Sequence, residues 1–294
     1  MLIRTDNDLQ KYEGLIFSRK VSRNAAFTLI EVLVVISIIA LLMGILAPVL
    51  NLARKLSRST VCQSNLRQLG IALKVYATKY DGYMMPNYEP ENETYWWGRK
   101  LTTGIDHKKG FIWPCLRNEL AENSVFECPS QKYGTYRLQG KPPSEPDDLK
   151  WITSTYGYNG YYLSPPKSPW QNIRHRPWQK EETVKTPASV IAFADTMLSR
   201  TNDGRSLENN AMVDPPQILS ADKTQWQLNH FPTTSFRHNG KVNIVFVDGH
   251  CFSTGIEEGQ YTDPYARIGS IIQSNAPYYI PDEESWTVSG RRRH

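Results

Sequence analysis

The chain lacks the short motifs that announce common enzymes: it has no GxSxG elbow, no GxxxxGK[ST] loop, no HExxH pair and no GxGxxG turn. Acyl transfer from a strained serine, phosphate cradling, zinc proteolysis and dinucleotide binding therefore have no sequence support, so the expectation is a protein that is not an enzyme and requires no cofactor. Cysteine is scarce. The four present, Cys62, Cys115, Cys128 and Cys251, never come at CxxC spacing, which removes the zinc-finger type of site. Charge bias is small too: 34 basic against 29 acidic residues leave +5, and five basic and three acidic residues fall before Phe27. No segment interleaves Lys and Arg with aromatics, and the one basic run, Arg291–Arg293, reads as a solvated tail, so nucleic acid is not an expected partner. No internal repeat is visible, and there is a single long apolar run.

That run, from Phe27 to Ala47, reads FTLIEVLVVISIIALLMGILA. A helix of about 20 apolar residues crosses a bilayer, so this stretch is long enough to do so. The chain as a whole has a mean hydropathy of −0.49, which suggests one anchor carrying a water-facing body. Glu31 is the only charge in the run. A carboxylate there costs about 2.5–3.5 kcal/mol on insertion scales and calls for a partner or a purpose. After Pro48, the spacing of Leu66, Leu69, Leu73, Tyr76 and Tyr80 by three and four gives one apolar helix face. The pattern predicts a helix from Phe27 to Tyr80, stopped by Asp81 and Gly82. Short strands and loops are expected beyond it: strands at Val190–Ala194, Val242–Val247 and His250–Ser253, and loops at Lys141–Asp148 and Ser164–Pro169. Asp248 and Gly249 are read as a hairpin turn whose backbone angles are positive and whose amides the Asp side chain can bond.

The basic leader followed by Ala26, Phe27, Thr28, Leu29, Ile30 and Glu31 resembles the prepilin cleavage and methylation motif of type IV pilins and type II secretion pseudopilins. The resemblance implies cleavage between Ala26 and Phe27 by a prepilin peptidase, with N-methylation at Phe27 and retention of the apolar segment. Ala26 stands where the family commonly has glycine. Glu31 falls where the family's glutamate meets the terminal amine of a neighbouring subunit, and Pro48 where family members carry a proline that bends or melts the helix. The implied organisation is a leader at 1–26, a transmembrane helix at 27–48, its extramembrane half at 49–80 and a β-rich globular domain at 81–294. The implied fold is α+β and pilin-like, a long N-terminal helix packed on an antiparallel sheet with long loops. Single-pass anchoring in the inner membrane is implied, with the C-terminal domain on the periplasmic or extracellular side. The implied partners are the membrane, the peptidase, copies of itself or other pilin-like subunits, and secretion or pilus assembly machinery.

A second set of residues is similar to a pilin-like family named for a C-terminal H-x9-DG motif (DUF1559). It comprises Cys62, Asn65 to Gly70, Phe126, Cys128 to Ser130, Tyr156 to Asn159, and His238 followed after nine residues by Asp248 and Gly249. Around that motif Asp195, His238, Asp248 and His250 are candidate ligands of a divalent metal, against the simpler reading that they make structural hydrogen bonds. Two imidazoles would suit zinc or another transition ion better than calcium.

Outside a bacterial inner membrane oxidation is expected, so disulfides are read for the cysteines, Cys115 with Cys128 first, against reduced and buried thiols. Tyr95, Trp96, Trp97 and Trp113 could stack on a sugar ring, although a loop-rich core also uses such residues. The leading functional reading is a structural pilin or pseudopilin subunit of a type II secretion or type IV pilus-like filament. The alternative is a membrane-anchored binding module that captures polysaccharide or metal. DNA uptake is a third reading, which the small net charge disfavours.

Overall fold

A computed structural model describes residues 28–117, 124–131, 153–165, 178–199, 207–208, 210–220 and 225–281. The leader at 1–26, Phe27 and the Lys141–Asp148 loop lie outside the described residues, as does most of Ser164–Pro169. The chain divides into two compact units, residues 1–50 and 51–294. The second unit thus begins inside the long helix, at Asn51.

The helix runs Leu29–Lys79 and passes through Pro48 without interruption. In the first unit its start is a capping box. The Thr28 hydroxyl accepts from the Glu31 amide at 3.3 Å, and Glu31 Oε2 accepts from both the amide and the hydroxyl of Thr28 at 2.8 Å. The Thr-x-x-Glu spacing needed for this is plain in the sequence, although Glu31 reads there first as an intramembrane charge. Every residue from Thr28 to Leu50 is exposed, as expected of a segment whose apolar surroundings come from outside the chain. By length and composition this is a helix able to cross a membrane.

In the second unit the helix buries Cys62, Asn65, Leu66, Leu69, Gly70, Ala72, Leu73, Tyr76 and Ala77, the three-and-four period of one face. Tyr80 is 40% exposed and stacks on Tyr76, with ring centroids 4.2 Å apart. The helix stops because Asp81 and Gly82 take left-handed φ angles of 52° and 79°, which lets the Gly82 amide return to the Ala77 carbonyl.

The buried face lies on an antiparallel sheet whose strands run, in spatial order, Cys251–Thr254, Val242–Phe246, Ile191–Asp195 and Tyr156–Tyr158. Its second strand alternates cleanly: Val245 and, just beyond, Val247 join the core under the helix, whereas Val242, Ile244 and Phe246 join a second core with Ile191, Phe236 and Tyr279. Both faces are covered, so this strand reads in sequence as a nearly continuous apolar run. Gly70 marks the close approach of helix and sheet, since a Cβ there would stand 2.9 Å from Val245 Cγ2. A four-stranded meander over 88–106 and a three-stranded sheet of Thr234–Ser235, Ile268–Gly269 and Tyr261–Asp263 complete the larger described elements. The architecture is the expected α+β one: a long apolar helix followed by antiparallel sheets.

The hairpin at Asp248 differs from the expected one. Its loop has three residues, with the Gly249 amide donating to the Phe246 carbonyl and the Phe246 amide to the His250 carbonyl. Gly249 alone takes a positive φ, 96°, whereas the Asp248 carboxylate accepts from the His250 amide at 3.0 Å, the turn bond expected of it.

Candidate functional site

Four segments meet beneath the helix. Cys62 comes from the helix, Cys128 from the loop 124–131, Asp195 from the end of a central strand and His238 from a turn leading into the next strand. Their ligand-type atoms all lie within 4.8 Å of one another, and all four side chains are buried. Cys62 Sγ is 3.3 Å from Asp195 Oδ1, Cys128 Sγ is 3.3 Å from His238 Nε2, and His238 Nε2 is 3.2 Å from Asp195 Oδ2.

Each residue is held by its own local structure. His238 sits on a two-residue turn in which Asn239 and Gly240 take φ angles of 56° and 81°, and the amides of His238 and Lys241 exchange bonds across it. Asn-Gly is the strongest short hairpin signal in a sequence, and a reading centred on the H-x9-DG spacing passes over it. The Cys128 amide donates to Thr155 Oγ1 at 2.7 Å, and the Asn65 side chain reaches from the helix to the Glu127 carbonyl at 2.9 Å. These two bonds turn the Cys128 thiol inward. Asp195 Oδ2 accepts from the Asn243 amide at 3.0 Å, and the Arg237 guanidinium stands 3.8 Å from Oδ1. The other ring nitrogen of His238 lies 3.3 Å from Ser130 Oγ.

The electrostatics follow from this packing. Burial acts to raise the Asp195 carboxyl, yet Arg237, His238 and the Asn243 amide outweigh it and hold the group below its ordinary value. Burial favours a neutral His238, but its contacts with Asp195 and Cys128 push the imidazole up to about 9. Burial, contact with Cys128 and the Asp195 charge push the Cys62 thiol well up. Against the same burial, contacts with Cys62 and His238 and the charge of Arg237 pull the Cys128 thiol down.

Of the four residues proposed from sequence as metal ligands, Asp195 and His238 come together, and Asp248 and His250 do not join them. Asp248 and His250 pair with each other at the hairpin tip, Oδ1 to Nδ1 at 2.7 Å, with the imidazole stacked on Phe246. Glycine and aspartate of the H-x9-DG spacing thus serve the turn, and only its histidine serves the cluster. The expected Cys115–Cys128 disulfide does not form: none of the cysteines is bonded to another, because Cys128 is turned into the cluster and Cys115 lies half-buried in the short helix Trp113–Leu116. Cys251 is also half-buried elsewhere, its Sγ 3.6 Å from the Gln63 carbonyl. Trp96 and Trp97 are buried, Trp96 Nε1 donating to the Ala211 carbonyl at 2.6 Å, so they fill the core rather than a stacking platform.

The N-terminal site is the helix start. Ala26 and Phe27 lie outside the described residues; Glu31 is on the first turn with its carboxylate exposed, and Pro48 lies within the helix. Residues 21–47 match the family model of the prokaryotic N-terminal methylation motif. No curated protein and no solved structure matches the chain. The chain therefore carries a prepilin-type N-terminus, the mark of a processed, N-methylated, membrane-anchored subunit of pilin-like kind.

Proposed function

We propose that this chain is a structural subunit of a type II secretion or type IV pilus-like filament, with the DUF1559-like residues building the body that the filament displays. In this reading the peptidase cuts between Ala26 and Phe27, the apolar half of the helix leaves the bilayer for a bundle of like helices, and the globular unit faces outward. The observation that carries it is the methylation-motif match at residues 21–47 on a helix whose first half, from Thr28 to Leu50, is exposed among the described residues. Glu31 is retained there because the Phe27 amine of a neighbour neutralises it on assembly.

The capping box sharpens the test, because Glu31 also stabilises its own helix start. Gln at this position keeps the cap and removes the charge, whereas Ala removes both. Glu31→Gln is expected to insert in the membrane as the native chain does, while its incorporation into filaments falls by about tenfold or more. Losing one partner of a desolvated charge pair costs about 2–5 kcal/mol, which is ample for that factor. Filament incorporation of Glu31→Gln at the native level, or a mature chain that still starts at Met1 by mass spectrometry, refutes the reading.

A further inference from the structure

Two features of the buried cluster go beyond a filament role. Two sulfurs, an imidazole and a carboxylate converge from four separate segments, and the imidazole and the carboxylate already have outer partners in the places a ligand would need them. In a tetrahedral site with zinc–sulfur bonds of about 2.3 Å and zinc–nitrogen or zinc–oxygen bonds of about 2.0–2.1 Å, neighbouring donors stand about 3.3–3.8 Å apart. With Asp195 Oδ2 as the carboxylate donor, the cluster shows 3.6 Å to Cys62 Sγ and 3.2 Å to His238 Nε2, and Cys128 Sγ stands 3.3 Å from His238 Nε2. These separations match the edges of such a site, and all four ligand-type atoms lie within 4.8 Å of one another.

We propose that Cys62, Cys128, Asp195 and His238 bind one zinc ion, which ties the long helix and the 124–131 loop to the central sheet.

The donor chemistry selects the ion. Two thiolates with an imidazole suit zinc and exclude calcium or magnesium, which take oxygen ligands in larger shells. The imidazole and the carboxylate have the outer partners expected of ligands: Ser130 Oγ at 3.3 Å from Nδ1 orients the His238 ring so that Nε2 faces inward, and the Asn243 amide and Arg237 hold the carboxylate. Binding requires both thiols to give up their protons to solvent and the imidazole to be neutral. Two thiolates and Asp195 then carry three negative charges, which the ion and the nearby Arg237 balance. With four protein ligands, all buried, no position is left open for water or substrate, so the ion's role is to hold the fold. Three of the four ligands, Cys62, Cys128 and His238, belong to the DUF1559-like set, and the fold brings Asp195 to them. The proposal is independent of how the subunit assembles.

The full chain, purified in detergent without added metal and passed over a chelating resin, is analysed for metals by mass spectrometry. About one zinc per chain is expected. Cys62→Ser, Cys128→Ser and His238→Gln each reduce this to under about a tenth, while Cys115→Ser, Cys251→Ser and His250→Gln retain it, since these lie outside the cluster. Because a ligand variant can fail to fold, the native chain is also produced in cobalt-supplemented medium. A tetrahedral cobalt site with two thiolates gives intense visible bands and a sulfur-to-metal charge-transfer band in the near ultraviolet. Metal-free protein whose melting temperature is unmoved by zinc or by a strong chelator overturns the proposal. So does a Cys62–Cys128 disulfide found by peptide mapping under non-reducing conditions, or cobalt protein with an octahedral spectrum.

Discussion

Replacing Asn159 by Asp would change one side-chain nitrogen to oxygen at a fully buried site and nothing in its shape. The Asn159 amide donates to the Ile191 carbonyl at 2.9 Å and to the Tyr279 carbonyl at 2.8 Å, tying the central sheet to the segment over its second face. A protonated Asp can donate to only one of them, so one bond is lost and one carbonyl is left buried without a donor, at about 1–3 kcal/mol. An ionised Asp faces two carbonyl oxygens without water, so its folded-state pKa rises above the unfolded value of about 3.9. The folded chain then holds a proton that the unfolded chain has released. Stability relative to the native protein is therefore lost as pH rises from about 4 towards the folded pKa, by about 1.4 kcal/mol for each pH unit that separates the two values. A folded pKa of about 7, within the range that full burial of a carboxyl produces, brings the total to about 5–7 kcal/mol at pH 8, comparable with the whole stability of many domains. The assay is urea unfolding of the full chain in detergent, followed by tryptophan fluorescence, for the native and Asn159→Asp chains at pH 5 and pH 8. A difference between the two chains that stays constant within about 0.5 kcal/mol across that range refutes the reasoning.

Two other outcomes follow from the same packing. Gly157→Ala places a Cβ 2.5 Å from both the Met212 carbonyl carbon and Thr196 Cγ2. Backbone cannot yield as a side chain can, so the loss is about 1–3 kcal/mol or more and the melting temperature falls by about 2–12 °C by calorimetry. Asp214 is partly buried beside Asn210, and its burial pushes the carboxyl up to about 7. The stability it contributes is full below its unfolded pKa near 4 and lost as pH rises towards 7. Asp214→Asn removes that dependence, so the variant gains on the native chain between pH 4.5 and pH 8 in thermal unfolding; a gap that narrows or stays level counts against the reading.

Local rules make much of this molecule legible. The apolar run, the three-and-four spacing from Leu66 to Tyr76, the stop at Asp81 and Gly82 and the strands around 190 and 242–254 all appear as expected, because each is set by neighbours within one or two turns or one hairpin. Tyr80 follows the same period and yet lies at the surface, since the helix has already ended beneath it. The hairpin at Gly249 is legible in place but not in type, because loop length depends on where the flanking strands pair.

The buried cluster is legible only in part. Nothing local says that Cys62 meets Asp195 from 133 positions away, or that Cys128 meets His238 from 110. Sequence distance favours Cys115 for Cys128, and the motif spacing groups Asp248 and His250 with His238; both expectations fail for one reason: a side chain's neighbours are set by the face of the element that carries it. His250 and Asp248 point off the hairpin tip, whereas His238 is turned under the helix by the Asn239–Gly240 turn and Cys128 by its bonds to Thr155 and Asn65. The anchor, the prepilin-type start and the periodic faces are properties of short stretches of chain, and the order of residues is enough to specify them. The choice of donors that share one site belongs to the folded molecule, because packing a helix on a sheet brings together residues that chain connectivity keeps apart.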